Sequence, residues 1–268
     1  MNAFLSSLVI LIVGFLDDIY DLNFSYRLAT QFIIILFVIG NGIYIKTLGD
    51  YNFFGSLNLG VFGILLTFLS ISALTNSLNF MDGSDGLCAG IILTSFFGIL
   101  FVSNINILDV LDFFYLIITF LTIFLLFNLF GKNYKIFFGD SGSTFFGFIL
   151  SVSLIYFTSE EVNYFHPSLV PWLVFVPICD ILRVTFNRIK NRTNPFLPDK
   201  THIHHILLNN NFNKIQIFLI IISVQILSIF VGYFSMIIFG NDINIILFPL
   251  FFMLYYFLIL KFDKKLSN

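Results

Sequence analysis

Long runs of apolar residues fill most of this chain and decide what it can fold into. Apolar side chains make up 58% of the 268 residues and charged side chains only 10%, which is more apolar than a water-soluble domain tolerates. The runs are long enough to cross a hydrocarbon core of about 30 Å as helices, and they lack the alternation of a barrel strand. The sequence therefore predicts an all-α, polytopic helical membrane bundle.

Nine apolar segments are predicted to span the membrane, and the charges between them predict the orientation. When the connecting segments are assigned alternately to two faces, all of the 13 Lys and Arg residues except Lys46 fall on one face. The positive-inside rule then predicts that this face is cytoplasmic, with the amino terminus outside and the carboxyl terminus inside. The predicted spans are 3–16, 28–45, 57–75, 87–102, 110–130, 143–157, 169–186, 215–239 and 243–260.

The segments between the spans show no linker or soluble domain, so residues 1–268 are interpreted as one membrane-embedded domain. The net charge of −2 argues against nucleic acid as a partner. Cys88 and Cys179 fall in or beside spans, and two such cysteines make no disulfide framework.

Five polar clusters interrupt the apolar runs, and the topology argument places all five on the basic face. They are GFLDDIYDL (14–22), NSLNFMDGSDGL (76–87), KIFFGDSGS (135–143), Asp180 with Arg183, and PDKTHIHH (198–205). Convergence of such clusters on one face of an otherwise apolar protein indicates an active site.

The first cluster places Asp17, Asp18 and Asp21 at the end of the first span, on one helical side. Three carboxylates this close repel one another unless a cation or a raised pKa relieves the repulsion. Ionised carboxylates are also costly deep in a membrane, so a shallow, cation-binding position is expected. A solvated helix end is the simpler alternative.

The second cluster continues a polar stripe on the third span, where Asn76 and Asn79 lead into Asp82 and Asp85. Neighbouring helices could satisfy these amides without any ligand. Alternatively, the glycines of the cluster allow a close backbone approach, while the amides and carboxylates suit a nucleobase or a ribose.

In the third cluster, Asp140 precedes small residues at a predicted helix start, as an N-cap would. A cap explains the aspartate but not the paired phenylalanines and glycines around it. The last cluster holds His202, His204 and His205 just after Lys200. A zinc site is conceivable, but the aspartates favour Mg²⁺, beside which imidazoles and a lysine would donate to phosphate oxygens.

Together these strings resemble the polyprenyl-phosphate N-acetylhexosamine-1-phosphate transferase superfamily, of the glycosyltransferase family 4 type, in order from residue 14 to about residue 208. The matching strings are LDDxYDL, NxxNxMDGxDGL, KxFxGDxGS and PDKxHIHH. The HIHH form resembles the branch that starts O-antigen, enterobacterial common antigen or teichoic acid synthesis. Family members carry two further helices and a lysine-bearing loop before the acidic motif, so the chain is expected to be incomplete at its amino terminus relative to them.

The resemblance implies Mg²⁺-dependent transfer of a HexNAc-1-phosphate from a UDP-sugar to undecaprenyl phosphate, with release of UMP. GlcNAc-1-phosphate is the favoured group. This transfer is the first membrane step of a cell-surface polysaccharide pathway. It further implies a multi-pass protein of the bacterial inner membrane, with its active site facing the cytoplasm, and a possible homodimer.

The resemblance also implies roles for individual residues. Asp140 would be the magnesium ligand, while Asp17 and Asp18, supported by Asp21, would position or deprotonate the lipid phosphate. The uridine end would be lined by Asn79, Asp82, Asp85 and Phe137. Asn128 would lie near the diphosphate. The phosphates or the sugar would be contacted by Lys200, His202, His204 and His205.

Three other interpretations stay open from the sequence. A truncated, inactive paralogue could serve as an assembly partner. An ion-coupled transporter would place ionisable groups near the middle of the membrane, whereas here they gather on one face. An intramembrane prenyltransferase shares aspartate-rich motifs but has no need for FFGDSGS or HIHH.

Overall fold

The computed structural model describes residues 2–20, 24–103, 110–131, 134–194 and 201–264. These residues form ten α-helices, a 3-10 turn at Pro167–Leu169 and one β-hairpin. In chain order the elements are α1 (Asn2–Tyr20), α2 (Phe24–Gly40), β1 (Thr47–Tyr51), β2 (Gly55–Asn58), α3 (Phe62–Met81), α4 (Leu87–Val102), α5 (Leu111–Phe130), α6 (Gly139–Phe157), α7 (Val170–Leu173), α8 (Phe175–Lys190), α9 (Ile203–Asn209) and α10 (Lys214–Lys264).

The helices confirm a helical membrane bundle but not nine separate spans. Within the described ranges, α3, α5, α6 and α10 are long and apolar enough to cross a membrane, and α7 with α8 makes a fifth span if this bent pair counts as one. Helices α2 and α4 have 17 and 16 residues, short of the roughly 20 that a spanning helix needs. The protein is therefore a multi-pass membrane protein whose helices differ widely in length.

The seventh predicted span is broken rather than straight. The 3-10 turn and α7 meet α8 at a bend of 79°. Pro177 has no N–H to donate to the carbonyl of Leu173 four residues earlier. The buried Gln225 compensates, because its amide donates to that carbonyl (2.7 Å) and its oxygen accepts from the Val176 N–H (3.0 Å).

The last two predicted spans correspond to two helices that meet at a sharp kink at Gly240, within the stretch labelled α10. Gly240 has φ 81° and ψ 176°, a backbone conformation that an L side chain rarely adopts. The Asn244 amide donates to the Gly232 carbonyl (2.6 Å), twelve residues earlier, so the second helix folds back along the first. The predicted boundary between residues 239 and 243 is confirmed at this kink.

A small β-hairpin departs from the predicted all-α fold. The antiparallel strands β1 and β2 join α2 to α3, in the segment between the predicted spans 28–45 and 57–75, and only the last two residues of β2 fall inside a predicted span. Asp242 holds the hairpin turn, since its carboxylate accepts from the backbone N–H groups of Asn52 (3.0 Å) and Phe53 (2.8 Å). Nearby, Lys46 pairs with Glu161 (2.7 Å), so loops predicted to share one face do meet there.

Two buried apolar clusters lie on either side of α3 and α6. The smaller joins α1 and α2 to these helices through Ile10, Ile35, Ile71 and Phe148. The larger contains buried residues of α3 to α10. Helices α3 and α6 approach closely because Gly147 has no side chain: a Cβ there would lie 3.3 Å from the Thr75 Cα. This central pair carries two of the predicted clusters to the same end of the bundle.

Candidate active site

The end of α1 is fixed against the start of α6. Gly14 permits the contact, because a Cβ at that position would lie 2.5 Å from the Ser141 Cα. The Asp18 carboxylate then accepts from the backbone N–H groups of Asp140 (2.8 Å) and Ser141 (3.2 Å). Gly139 has φ 69°, and a Cβ there would contact Asp18. Asp18 therefore caps α6 and sets the place of Asp140.

Asp140 is the centre of a polar network that joins four helices. Its carboxylate accepts from the Arg27 guanidinium (2.8 Å) on α2 and from the Asn79 amide (2.9 Å) on α3. Arg27 also pairs with the buried Asp17 of α1 (2.6 Å), so one guanidinium bridges two carboxylates. The same Asn79 amide donates to Ser143 (2.9 Å) one turn along α6. Arg27 had no defined role in the sequence-based prediction, because its contact with Asp140 joins residues 113 apart in the chain.

Asp82 follows the last residue of α3 and brings a further carboxyl to this network. Its carboxyl accepts a hydrogen bond from the Gly139 backbone. Burial raises the pKa of Asp82 to about 7, and the negative charges of Asp140 and Asp18 act in the same direction. The site thus gathers more negative charge than Arg27 neutralises, a condition that a cation would relieve.

Asp85 lies on a second part of the site, together with two lysines. Its carboxylate pairs with Lys135 (2.7 Å) and Lys214 (3.0 Å). Burial alone would raise the pKa of Asp85, but the hydrogen bonds from the two ammonium groups outweigh it and lower the pKa. Asp85 and Lys214 line a cavity of about 320 Å³, and Lys135 lies 5.6 Å from the ring of the exposed Phe137.

Asn128 supports the segment that carries Phe137. This buried residue near the end of α5 donates from its amide to the Ile136 carbonyl (2.6 Å). The contact holds the backbone ahead of α6. A direct role for Asn128 near a diphosphate stays a prediction.

The three clustered histidines lie at the start of α9, beside the loop that holds Asp82. The fully buried His204 packs against Gly83, where a Cβ would lie only 2.8 Å from its Nε2 atom. Neither ring nitrogen of His204 has a hydrogen-bond partner among the described residues. His205 is half-buried beside it, with ring centroids 4.1 Å apart, and His202 is buried 6.2 Å away. The histidine cluster is therefore in direct contact with the loop after α3 that holds Asp82, Gly83 and Asp85, called the acidic loop below.

The Asp180 and Arg183 pair of α8 lies beneath the histidines. Arg183 donates to Asp180 (2.7 Å), and His202 Nδ1 lies 2.7 Å from the second carboxylate oxygen. Members of all five predicted clusters thus gather at one end of the bundle. The predicted contributions of Asp21 and Lys200 fall outside the described residues.

The donor set of the site suits a hard cation. Carboxylate oxygens are ligands that Mg²⁺ prefers, and the Asp140 carboxylate lies at the centre of the network, where the Asn79 amide N–H donates to it. In the part of the chain that is described, no three acidic, histidine or cysteine side chains form a ready-made cage.

Fold and site together define a multi-pass helical membrane protein with a carboxylate-rich polar site at one end. Residues 1–158 match the family described as glycosyl transferase family 4, which includes the acidic, amide and FFGDSGS clusters. That match covers more than half of the chain. The chain belongs to glycosyl transferase family 4.

Curated relatives extend the similarity over most of the chain. One is the undecaprenyl-phosphate alpha-N-acetylglucosaminyl 1-phosphate transferase of Yersinia pestis, 31% identical over 84% of this chain and 62% of its own length. The proteins of that name from Escherichia coli strain K12 and Haemophilus influenzae are 31% and 30% identical over 80% and 88% of this chain. They are covered over 59% and 68% of their own lengths. The chain thus spans about three fifths of the first two relatives.

Proposed function

We propose that residues 1–268 form one membrane-embedded domain that transfers a HexNAc-1-phosphate, most of all GlcNAc-1-phosphate, from a UDP-sugar to undecaprenyl phosphate. The observation that carries the proposal is the convergence of Asp17, Asp18, Asn79 and Asp82 on Asp140 at one end of the bundle. The names of the curated relatives supply the substrate class. An oxygen of the lipid phosphate bonds to the sugar-bearing phosphorus, the bridging P–O bond breaks, and UMP leaves.

The network holds charged groups in place before the substrates arrive. Such fixed charges stabilise developing phosphoryl charge without reorganising during the reaction. Asp18 is committed to the N-terminus of α6, so its contribution is to place Asp140. Asp17, paired with Arg27 beside a narrow groove lined by Gly14, is the carboxylate placed to meet the lipid phosphate.

Mg²⁺ is the proposed cofactor, and Asp140 would hold it, with the Asn79 amide N–H donating to the same carboxylate. When bound, the ion would neutralise charge on the diphosphate. The raised pKa of Asp82 agrees with this assignment, because burial and the negative charges of Asp140 and Asp18 raise it where a bound cation would lower it.

An apolar groove supports a polyprenyl acceptor. A cavity of about 400 Å³ runs between α3, α6 and the bent pair α7 and α8, from Thr47 at the hairpin end to Ser77 and Leu182 nearer the site. Its lining is almost entirely apolar, as a lipid chain requires. A chain in this groove would extend from the hairpin end of the bundle toward the end that holds the site.

The region around Asp85 is the proposed nucleotide end. The exposed Phe137 ring offers a stacking surface, and the ammonium groups of Lys135 and Lys214 offer charge to a phosphate. The site face is proposed to be cytoplasmic, in a bacterial inner membrane, where nucleotide sugars are available. The reaction would then begin a cell-surface polysaccharide such as O-antigen.

A lipid-transfer assay tests this function. Membranes containing the chain are incubated with radiolabelled UDP-N-acetylglucosamine, undecaprenyl phosphate and Mg²⁺, and butanol-extractable label is counted. Asp140→Asn is expected to reduce the label by at least about 10²-fold, the scale on which loss of one electrostatic group acts. Asp112→Asn makes the same chemical change in the first turn of α5, remote from the site, and should leave the rate unchanged.

Two results would contradict the proposal. One is equal label in the Asp140→Asn and wild-type membranes, and the other is absence of label and of UMP release with every UDP-N-acetylhexosamine tried. Omitting Mg²⁺ and adding a chelator in parallel tests the metal assignment separately.

A further inference from the structure

Asp180 is a buried carboxylate that the proposed chemistry does not use directly. It is fully buried on α8 and contacts the segment that enters α9. One of its oxygens lies 2.7 Å from His202 Nδ1, and the other accepts from the backbone N–H of Ile203 (3.1 Å). Because a carboxylate only accepts, His202 must carry its proton on Nδ1.

Arg183 completes this arrangement. Its guanidinium donates to Asp180 (2.7 Å) and to the Thr201 carbonyl (2.6 Å). The Thr201 carbonyl, the His202 ring and the Ile203 amide are therefore all fixed by one buried ion pair. His202 is the N-cap residue of α9 but its side chain supplies no cap, so Asp180 takes that role from another helix by accepting from the Ile203 N–H.

Asp180 reaches the reacting groups only through α9. No hydrogen bond among the described residues joins it to Asp140, Asn79 or Asp82. His202, however, packs on Phe80 with ring centroids 5.2 Å apart, and His204 packs on Gly83. The position of Asp180 thus determines how the histidines meet the acidic loop.

We propose that Asp180 is a positioning residue for the transfer reaction and acts through His202. The carboxylate fixes the Nδ1–H tautomer, which leaves Nε2 as the atom that faces a phosphate or a sugar hydroxyl. Arg183 neutralises the buried carboxylate and holds the preceding carbonyl. This inference rests on the proposed function, and it assigns a role to a residue pair that lies behind the site.

A double-mutant cycle tests the inference. Asp180→Asn keeps the size of the side chain but removes the charge that selects the tautomer, and kcat is expected to fall about 10- to 100-fold with a smaller change in KM. In a His202→Gln background the same substitution should cost little more, because Asp180 acts through that ring. Fully multiplicative losses would overturn the proposal. Tyr255→Phe removes a long 3.5 Å contact to the same carboxylate and should change kcat by about twofold or less.

Histidine labelling gives a readout that does not depend on activity. In the wild type, diethylpyrocarbonate should modify the buried His202 slowly, and Asp180→Asn should accelerate that modification specifically. Unchanged His202 labelling in the variant overturns the proposal. A wild type without transfer activity but with this labelling difference would refute the proposed function and leave the positioning role standing.

A double variant that removes both buried charges controls for misfolding of the single variant. Asp180→Asn alone leaves Arg183 buried without its carboxylate, which is costly. The paired variant Asp180→Asn with Arg183→Gln removes both charges and is carried through the same kinetic and labelling measurements. It should retain the slow kcat and the fast His202 labelling, and recovery of wild-type values in both would overturn the proposal.

Discussion

A contact between one imidazole and one glycine joins the two halves of the site. His204 belongs to the histidine cluster and Gly83 to the acidic loop, and the ring occupies the space that a side chain on Gly83 would need. Since His204 is fully buried between its neighbours, it has little room to move away.

Gly83→Ala is therefore expected to destabilise the protein by about 1–3 kcal/mol, the usual effect of overpacking, and to lower transfer activity. Gly40→Ala is the matched control, because a Cβ there meets nothing within 4 Å. Thermal unfolding in detergent compares the two. Equal unfolding temperatures for both variants would show that the contact does not constrain the site.

The protonation of His204 makes a second prediction. Burial lowers the pKa of His204 to about 4, and the neighbouring His205 and His202 act in the same direction, while Asp180 opposes them. An unfolded chain binds this proton near pH 6.5, so the contribution of His204 to stability falls as the pH drops from about 6.5 toward 4. Asp82 titrates with the opposite sign in this window, because its pKa is raised.

The comparison between His204→Gln and the wild type isolates the histidine. Relative to wild type, the variant should gain about 1.4 kcal/mol of stability per pH unit at most as the pH falls through that window. Above pH 6.5 the difference should be constant. Unfolding temperatures at pH 7.5, 6.0 and 5.0 measure it, and a difference independent of pH would contradict the low pKa of His204.

The sequence alone identified those site residues whose side chains are costly to bury in a membrane protein. Asp17, Asp82 and Asp140 stand out because a polar group in an apolar chain needs a reason. Arg27 could be noticed only as a match to the family pattern, and its role as a bridge was not predictable, since one of the two carboxylates it joins is 113 residues away. Lys214 likewise looked like an ordinary basic residue at a helix start. A local sequence pattern shows which residues are polar, but it does not show which distant residues pair with one another in the fold.

Among the secondary-structure elements, the hairpin of β1 and β2 depends on one remote carboxylate. Asp242 accepts from two backbone amides of its turn, Asn52 and Phe53. Asp242→Ala is expected to free the turn and to accelerate hydrogen exchange at these two amides, with little change at the site. Glu161→Gln, which removes the exposed partner of Lys46 at the same end, should leave their exchange unchanged. Protection that persists in Asp242→Ala would show that strand pairing alone holds the turn.

The ends of helices were predicted well where an apolar run gives way to polar residues. They were predicted poorly where backbone hydrogen bonding sets the boundary. Residues 87–102 form a helix as predicted, since polar residues flank the run. The break between α7 and α8 depends on Gln225, about 50 residues later, which satisfies the interrupted backbone. The hairpin was missed because residues 47–58 mix polar and apolar side chains and lie almost entirely between two predicted spans, so they were interpreted as a loop.

At the level of the whole molecule, the sorting of the charges predicts which end faces the cytoplasm. The site gathers at one end of the bundle, whereas the hairpin and the Lys46–Glu161 pair lie at the other. Cys88 and Cys179 are both buried, so a cysteine introduced at an exposed position can be labelled selectively. Tyr134 at the site end and Phe53 at the hairpin end are 78% and 77% exposed, which makes them matched probes.

A membrane-impermeant maleimide added to intact cells should label Phe53→Cys and leave Tyr134→Cys unlabelled until the membrane is permeabilised. The positive-inside rule requires this result, because nearly every basic residue lies on the face that holds Tyr134. Labelling of Tyr134→Cys in intact cells would invert the orientation. It would also place the site away from cytoplasmic nucleotide sugars, so the same experiment decides whether a UDP-sugar can be the donor.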